Sequence, residues 1–351
     1  MQKKGMNPFA GRLAAFRKEL VRRRLDVALV FGEANLRSLT GLTCDNGCLA
    51  VTLRGETFYT DFRYVPMAHR VAPWLKVSDL RRLDRLFGAA RRIGYEGAIA
   101  HARFLSLRKL APKAAFVDVT DALRGLRAVK TADEIAAIRA AVKLNDEIWA
   151  EASGRFAAGM TEREMARIIR HMMIDRGEGE AFETIVCVGA NAAECHHVPD
   201  DTVWNGREPV LVDMGVKLDG YCSDMTRNLV PRRCPRLYRQ VYDLVLEANL
   251  AAIAAARPGF GGRALDRVAR EVIRKGGFGK CFGHSLGHGV GLEIHEAPYA
   301  AKSSKDVLRP GMLVTIEPGV YLEGNLGVRI EDLVLITDTG CEVLTASPKL
   351  E

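Results

Sequence analysis

The chain has 351 residues, 48% hydrophobic and 27% charged, enough apolar material for a sizeable core, and this excludes disorder, collagen and coiled coil. It holds no run of about 18 uncharged apolar residues, and no apolar export segment follows Met1-Gln2-Lys3-Lys4-Gly5, so no membrane partner and a cytoplasmic location are expected. The net charge of +8 is uneven: residues 1–130 hold 25 Lys and Arg against 11 Asp and Glu, and residues 131–351 hold 26 against 32, so two parts meeting near residue 130 are expected.

The first part alternates helices and strands. Leu13, Phe16, Leu20 and Val21 have helical spacing, and Val27 to Phe31 is an apolar run typical of a buried strand. Residues 48–53 and 57–60 flank Arg54-Gly55-Glu56 as a hairpin, and 93–95 and 116–119 read as further strands. This is an α/β domain with no visible catalytic constellation. Arg22-Arg23-Arg24 and Arg81-Arg82 are basic, but no binding motif accompanies them, so no nucleic-acid partner is expected. The eight cysteines contain no Cys-x-x-Cys, so reduced thiols are expected, Cys195 beside His196 included.

Two capping boxes open the second part. Thr131-Ala-Asp-Glu134 starts a helix through Ile135, Ile138, Val142 and Ile148, and Thr161-Glu-Arg-Glu164 starts another through Met165, Ile168, Ile169 and Met172. The segment from Gly159 to Ile168 resembles that from Gly259 to Val268, an offset of 100 residues. These helices are expected to end at Gly177 and at Gly276-Gly277 in the C′ position. A strand pair follows each. The first carries Asp213 and Asp224, the second Glu317 and Glu331, so helix, helix, strand, strand occurs twice.

These acids follow apolar runs, Val-Leu-Val before Asp213 and Leu-Val-Thr-Ile before Glu317. Carboxylates in interior strands need partners. A two-residue turn at Asp219-Gly220 would pair Asp213 with Thr226 and leave Asp224 on the same face. An odd loop around Gly324 would set Glu317 opposite Glu331. Four converging carboxylates would stay partly protonated unless cations intervene, and two divalent ions would balance them. Such a site needs hard oxygen donors and an imidazole. The glycine-rich segment from Phe282 to Glu296 supplies His284, His288 and His295 within twelve residues. The plainer alternative places these acids on ordinary surface hairpins.

The strings Val-Asp213-Met-Gly, Ser-Asp224-Met-Thr-Arg, His284-Ser-Leu-Gly-His288 through His295-Glu, Ile-Glu317-Pro-Gly-Val-Tyr and Val-Arg329-Ile-Glu331-Asp match, in order and spacing, a known family. Residues 131–351 resemble the metallopeptidases that include methionine aminopeptidases, Xaa-Pro aminopeptidases, prolidases and creatinase. Residues 1–128 resemble the creatinase-type N-terminal domain of the prolyl members.

The resemblance implies an α/β creatinase-like domain over 1–128, then an α+β pita-bread catalytic domain over 129–351 with an internal pseudo-twofold repeat. It implies Asp213, Asp224, His288, Glu317 and Glu331 as ligands of two divalent ions per subunit, with Asp224 and Glu331 bridging. Mn²⁺ is the expected metal, and Co²⁺ or Zn²⁺ also fit the donors. It implies hydrolysis of the bond between an N-terminal residue and proline, with a metal-bridging water as nucleophile and Glu317 as general base. His196 and His295 would hold the scissile carbonyl or its oxyanion, with His197 as the competitor for the role of His196. His284 and Arg329 would contact substrate or orient ligands. The partner is a peptide with proline second, and a homodimer is expected. Where the family has a Pro-His pair, this chain has Cys195-His196. A same-fold enzyme acting on a non-peptide small molecule, or a non-catalytic binding module, are the alternatives.

Overall fold

The computed structural model describes residues 7–88 and 90–349. Met1 to Gly5, read above for an export signal, lie outside them. The chain divides into two compact units, the first ending at Arg127 and the second starting at Ala128.

The first unit is a mixed six-stranded sheet between helices. In chain order it contains α1 (Ala10–Arg23), β1 (Val27–Val30), α2 (Glu33–Thr40), β2 (Gly47–Thr52), β3 (Gly55–Thr60), α3 (Val65–Val71), β4 (Lys76–Asp79), β5 (Arg92–Tyr95), α4 (His101–Leu110), β6 (Ala115–Asp118) and α5 (Thr120–Ala128). The strand order is β4-β3-β2-β1-β5-β6. The run at β1 is apolar throughout because both faces are covered. Ala28 and Val30 join the core under Leu13, Phe16 and Leu20 of α1, while Val27 and Leu29 pack with Leu83 and Leu107 on the other face. The basic runs are locally paired: Arg22 and Arg23 with Glu19, Arg81 with Asp79.

The second unit repeats one motif. Its first half runs α6 (Ala132–Ser153), α7 (Glu162–Arg176), β7 (Ile185–Val188), β8 (Val210–Met214), β9 (Lys217–Leu218), β10 (Tyr221–Cys222) and β11 (Met225–Leu229). Its second runs α8 (Arg236–Ala255), α9 (Gly262–Lys275), β12 (Gly287–Gly289), β13 (Glu296–Ala300), β14 (Leu313–Ile316), β15 (Gly319–Leu322), β16 (Leu326–Arg329), β17 (Asp332–Ile336) and β18 (Cys341–Val343). Each half has its own core. Ile148, Met165 and Ile169 pack on Val186, Val210 and Val212; Val245, Leu265 and Ile273 pack on Val314, Ile316 and Val334. Isolated bridges Thr161↔Val203 and Gly261↔Val307 recur at matching places.

Both capping boxes form: the hydroxyls of Thr131 and Thr161 accept from the backbone N–H of the Glu three residues on, and their own backbone N–H groups donate to that Glu's carboxylate. Gly277 takes the left-handed conformation (φ +90°). Gly177 does not. It is extended (φ −134°), and a Cβ there would stand 2.9 Å from the carbonyl oxygen of Lys217, so close packing rather than a positive φ requires glycine. All eight cysteines are free. Among the described residues no helix is long and apolar enough to cross a membrane.

Candidate active site

The second unit contains a cavity of about 400 Å³. Asp213, Asp224, His288, Glu317 and Glu331 line it together with His196, His284, His295 and Arg329. The two strand pairs bring the acids there. Asp219 and Gly220 both have positive φ (46° and 69°), and the turn they make leads into a register that sets Asp213 opposite Thr226. In the second pair, Ile316 faces Asp332 and Gly319 faces Arg329, the register in which Glu317 falls opposite Glu331. A three-residue loop at Gly324 (φ +66°) joins β15 to β16.

Hydrogen bonds tie the two halves at the acids. The buried Thr226 hydroxyl donates to Glu331 Oε2 at 2.8 Å and accepts from Arg329 Nε at 2.9 Å. Arg329 also donates to Asp213 Oδ2 at 2.6 Å and to the Tyr321 hydroxyl at 3.0 Å. Tyr321 lies 2.8 Å from His284 Nε2, and His284 Nδ1 lies 2.8 Å from the Ser285 carbonyl. With Nδ1–H given to that carbonyl, Nε2 accepts from Tyr321.

His288 is oriented in the same way. Its Nδ1 donates to the Gly289 carbonyl at 3.1 Å, leaving Nε2 3.6 Å from Asp224 Oδ2 and 3.4 Å from Glu317 Oε1. Gly287 permits this approach, because a Cβ there would strike the Thr315 carbonyl. The ring of His295 lies 4.3 Å from that of His288.

Burial, then repulsion from neighbouring carboxylates, holds Asp224 and Glu331 well above the usual carboxyl range. Burial pushes Glu317 up to about 8, Arg329 opposing and Asp213 adding to it. Burial lowers His288 and His284 to about 4, and His295 is also lowered, so these imidazoles are neutral at pH 7. The donor set is four hard carboxylates and one imidazole nitrogen. Asp213 Oδ1 is buried with no hydrogen-bond partner among the described residues. Asp224, His288 and Glu331 each bring one donor atom within 4.8 Å of the others. These residues could hold divalent cations.

Raised carboxyl values have a consequence for metal-free protein. These acids bind protons more readily folded than unfolded. The stability they lend is present below the ordinary carboxyl range and is lost as pH rises through the folded values, for Glu317 through about 8. Chelator-treated protein should therefore show an unfolding temperature that falls between about pH 5 and pH 8 more steeply than that of metal-loaded protein. Calorimetry with parallel pH slopes for the two forms would rule out the like-charge cluster.

His196 lines the cavity, whereas His197 turns away and pairs with Glu162 at 2.7 Å. Sequence reading assigned no part to Thr226, Thr315 or Tyr321. Thr315 donates to Glu317 Oε1 at 3.2 Å and accepts from the His288 amide at 3.0 Å. For Thr315 the available signal was a polar residue inside the apolar strand Leu313–Ile316. Phe182, Glu183 and Tyr299 also line the cavity, and nothing in their sequence context marked them.

The family model for metallopeptidase family M24 matches residues 136–338, and the model for the creatinase/prolidase N-terminal domain matches residues 12–129. An Xaa-Pro dipeptidase from Pyrococcus horikoshii is 33% identical over 330 residues, 93% of this chain and 94% of its own. The solved structure of the Pyrococcus horikoshii prolidase superposes with a TM-score of 0.92 at 31% identity, covering 97% of this chain and 99% of that one. An X-Pro aminopeptidase from Thermotoga maritima gives 0.86 at 31% identity, covering 95% and 99%.

Proposed function

From the premise that the chain belongs to metallopeptidase family M24, we propose that it is a metal-dependent exopeptidase that cleaves the bond between an N-terminal residue and proline, as its relatives' names describe. Residues 1–128 are its creatinase-like domain and 129–351 its pita-bread catalytic domain. The observation that carries the metal requirement is the buried set of like charges with Asp213 Oδ1 left unpaired.

Asp213, Asp224, His288, Glu317 and Glu331 would hold two divalent ions, Mn²⁺ by preference, with Asp224 and Glu331 shared. When bound, such ions supply Lewis-acid polarisation and ease the ionisation of water. Glu317, within reach of His288 and steadied by Thr315, takes the proton of the attacking water. It then passes that proton to the departing proline nitrogen, which has no hydrogen of its own in the tertiary amide. His196 and His295, on the cavity wall, steady the scissile carbonyl and its oxyanion. Arg329 has all three nitrogens engaged by Asp213, Thr226 and Tyr321, so its part is to orient Asp213. His284, held by Tyr321 at the cavity wall, faces substrate. A homodimer and a cytoplasmic location complete the reading.

His295→Ala and His196→Ala should each keep their metal and lose about 10²-fold in turnover. A His196 variant with unchanged turnover would return its role to His197.

The test is hydrolysis of Ala-Pro, Ala-Pro-Ala and Ala-Ala by metal-loaded protein. Cleavage of Ala-Pro alone makes it a dipeptidase, and cleavage of Ala-Pro-Ala an aminopeptidase. A second reading rests on Cys195, which lines the cavity where a proline is usual: a non-peptide amide as substrate. Failure on both proline peptides by demonstrably loaded protein would favour it.

A further inference from the structure

The segment between β7 and β8 presents Cys195 and His196 to the cavity. Its regular structure is a short 3-10 turn at Gly189–Ala193. What it folds around is one carboxylate. Glu162, the first residue of α7, is fully buried. A charge so placed is tolerated only when its oxygens are met by donors. Oε1 accepts from the Val188 amide at 2.6 Å and from Asn191 Nδ2 at 2.9 Å. Oε2 accepts from His197 Nε2 at 2.7 Å and from the Asp200 amide at 3.2 Å.

These four donors span residues 188–200, both ends of the segment around His196. His197 Nδ1 lies 3.4 Å from Glu194 Oε2. With a carboxylate oxygen facing each nitrogen, the arrangement favours the ring that donates from both, the protonated form. Burial opposes that charge, but the bonds to Glu162 and Glu194 outweigh it and raise the His197 value. Glu162, His197 and Asp200 lie close enough together to resemble an ion site. The oxygens of Glu162 are already taken, which argues against that.

The second half contains the same device. Asp266 of α9, also buried, accepts from the Leu286 amide at 3.2 Å and from Arg270 at 2.7 and 2.9 Å. Arg270 in turn donates to the carbonyls of Phe282 and His284, both at 2.8 Å. In each half, a buried acid from the second helix secures the loop that presents a cavity histidine.

We propose that Glu162, with His197 as its counter-ion, is a positioning residue that sets His196 against the substrate. The turnover readout rests on the proposed function; the exchange readout does not. In Glu162→Gln, one acceptor oxygen becomes a donor amide facing N–H groups. Metal content should be unchanged, and backbone amide exchange across 188–200 should rise about tenfold or more, while exchange in β14 and β17 stays as in the parent. Turnover of a proline peptide should fall by up to about 10²-fold, the scale for a misplaced group. The double variant Glu162→Gln/His196→Ala should be no slower than His196→Ala alone, because both changes remove one contribution. Multiplying losses, or unchanged exchange across 188–200, would overturn the assignment. If Glu162→Gln does not fold, His197→Gln is read in the same cycle, with the same two outcomes. A parent inactive on proline peptides would refute the proposed function and leave the exchange result to judge the clamp.

Discussion

Asp224→Ala and Glu331→Ala should each abolish turnover and leave the protein unable to retain its full complement of metal. Both side chains are buried, at 4% and 2% exposure, among other carboxylates. Each is held well above the usual carboxyl range by burial and then by its neighbours. Such a cluster is costly without cations, and under the proposed function bound ions would neutralise it. The loss should exceed about 10²-fold, the upper end for partners that merely orient a ligand. The same argument has an opposite sign for the empty protein. Removing one of four repelling acids relieves repulsion, so each metal-free variant should be at least as stable as the metal-free parent. Metal analysis, turnover and unfolding of the stripped proteins check the three parts. An active variant with full metal would refute the ligand assignment.

Arg329→Met should destabilise the metal-free protein by about 3–5 kcal/mol, the scale for breaking a buried ion pair on one side. Arg329 is 4% exposed and is the only Arg or Lys among the described residues that line the cavity. Burial opposes its charge, but Tyr321, Asp213, Glu317 and Glu331 more than compensate and hold it firmly protonated. Methionine fills similar space and leaves Asp213 with neither oxygen bonded. Bound cations would take over part of the neutralisation, so the deficit should shrink in metal-loaded protein. Turnover should also fall by roughly 10–100-fold, because Asp213 loses its fixed orientation. Arg329→Lys keeps the charge but cannot reach Asp213, Thr226 and Tyr321 with one fork, so it should recover stability better than turnover. Urea unfolding with and without metal reads this directly. Equal stability of Arg329→Met and the parent, both stripped, would show that Arg329 is not what holds the acids together.

Much of the site was readable because its signals are local. Thr131-Ala-Asp-Glu134 and Thr161-Glu-Arg-Glu164 each hold donor and acceptor within four residues, and both caps form. Asp219-Gly220 dictates its own turn, which sets Asp213 against Thr226. The contacts that tune the acids are not local. Thr226 meets Glu331 across 105 positions, and Arg329 meets Asp213 across 116. They exist only once the two halves of the repeat dock. His196 and His197 are adjacent, and what separates them is Glu162, which in sequence looks like any acid in the first turn of a helix. In the first unit the strong periodicity of α1 was legible, whereas α4 buries only Leu107 among its ten residues and has no side-chain cap, so its pattern carried no signal.

Under the proposed function, this cavity hydrolyses an Xaa-Pro bond with metal held by its carboxylates. The most direct test follows the release of N-terminal alanine, from Ala-Pro or, if that is the substrate cleaved, from Ala-Pro-Ala, while Mn²⁺ is titrated into chelator-stripped protein. The expected result is no release before the metal is added, then a rise that levels off at about two ions per chain, as in two-metal sites. Release at the full rate by protein shown to contain no metal would contradict a metal-dependent site.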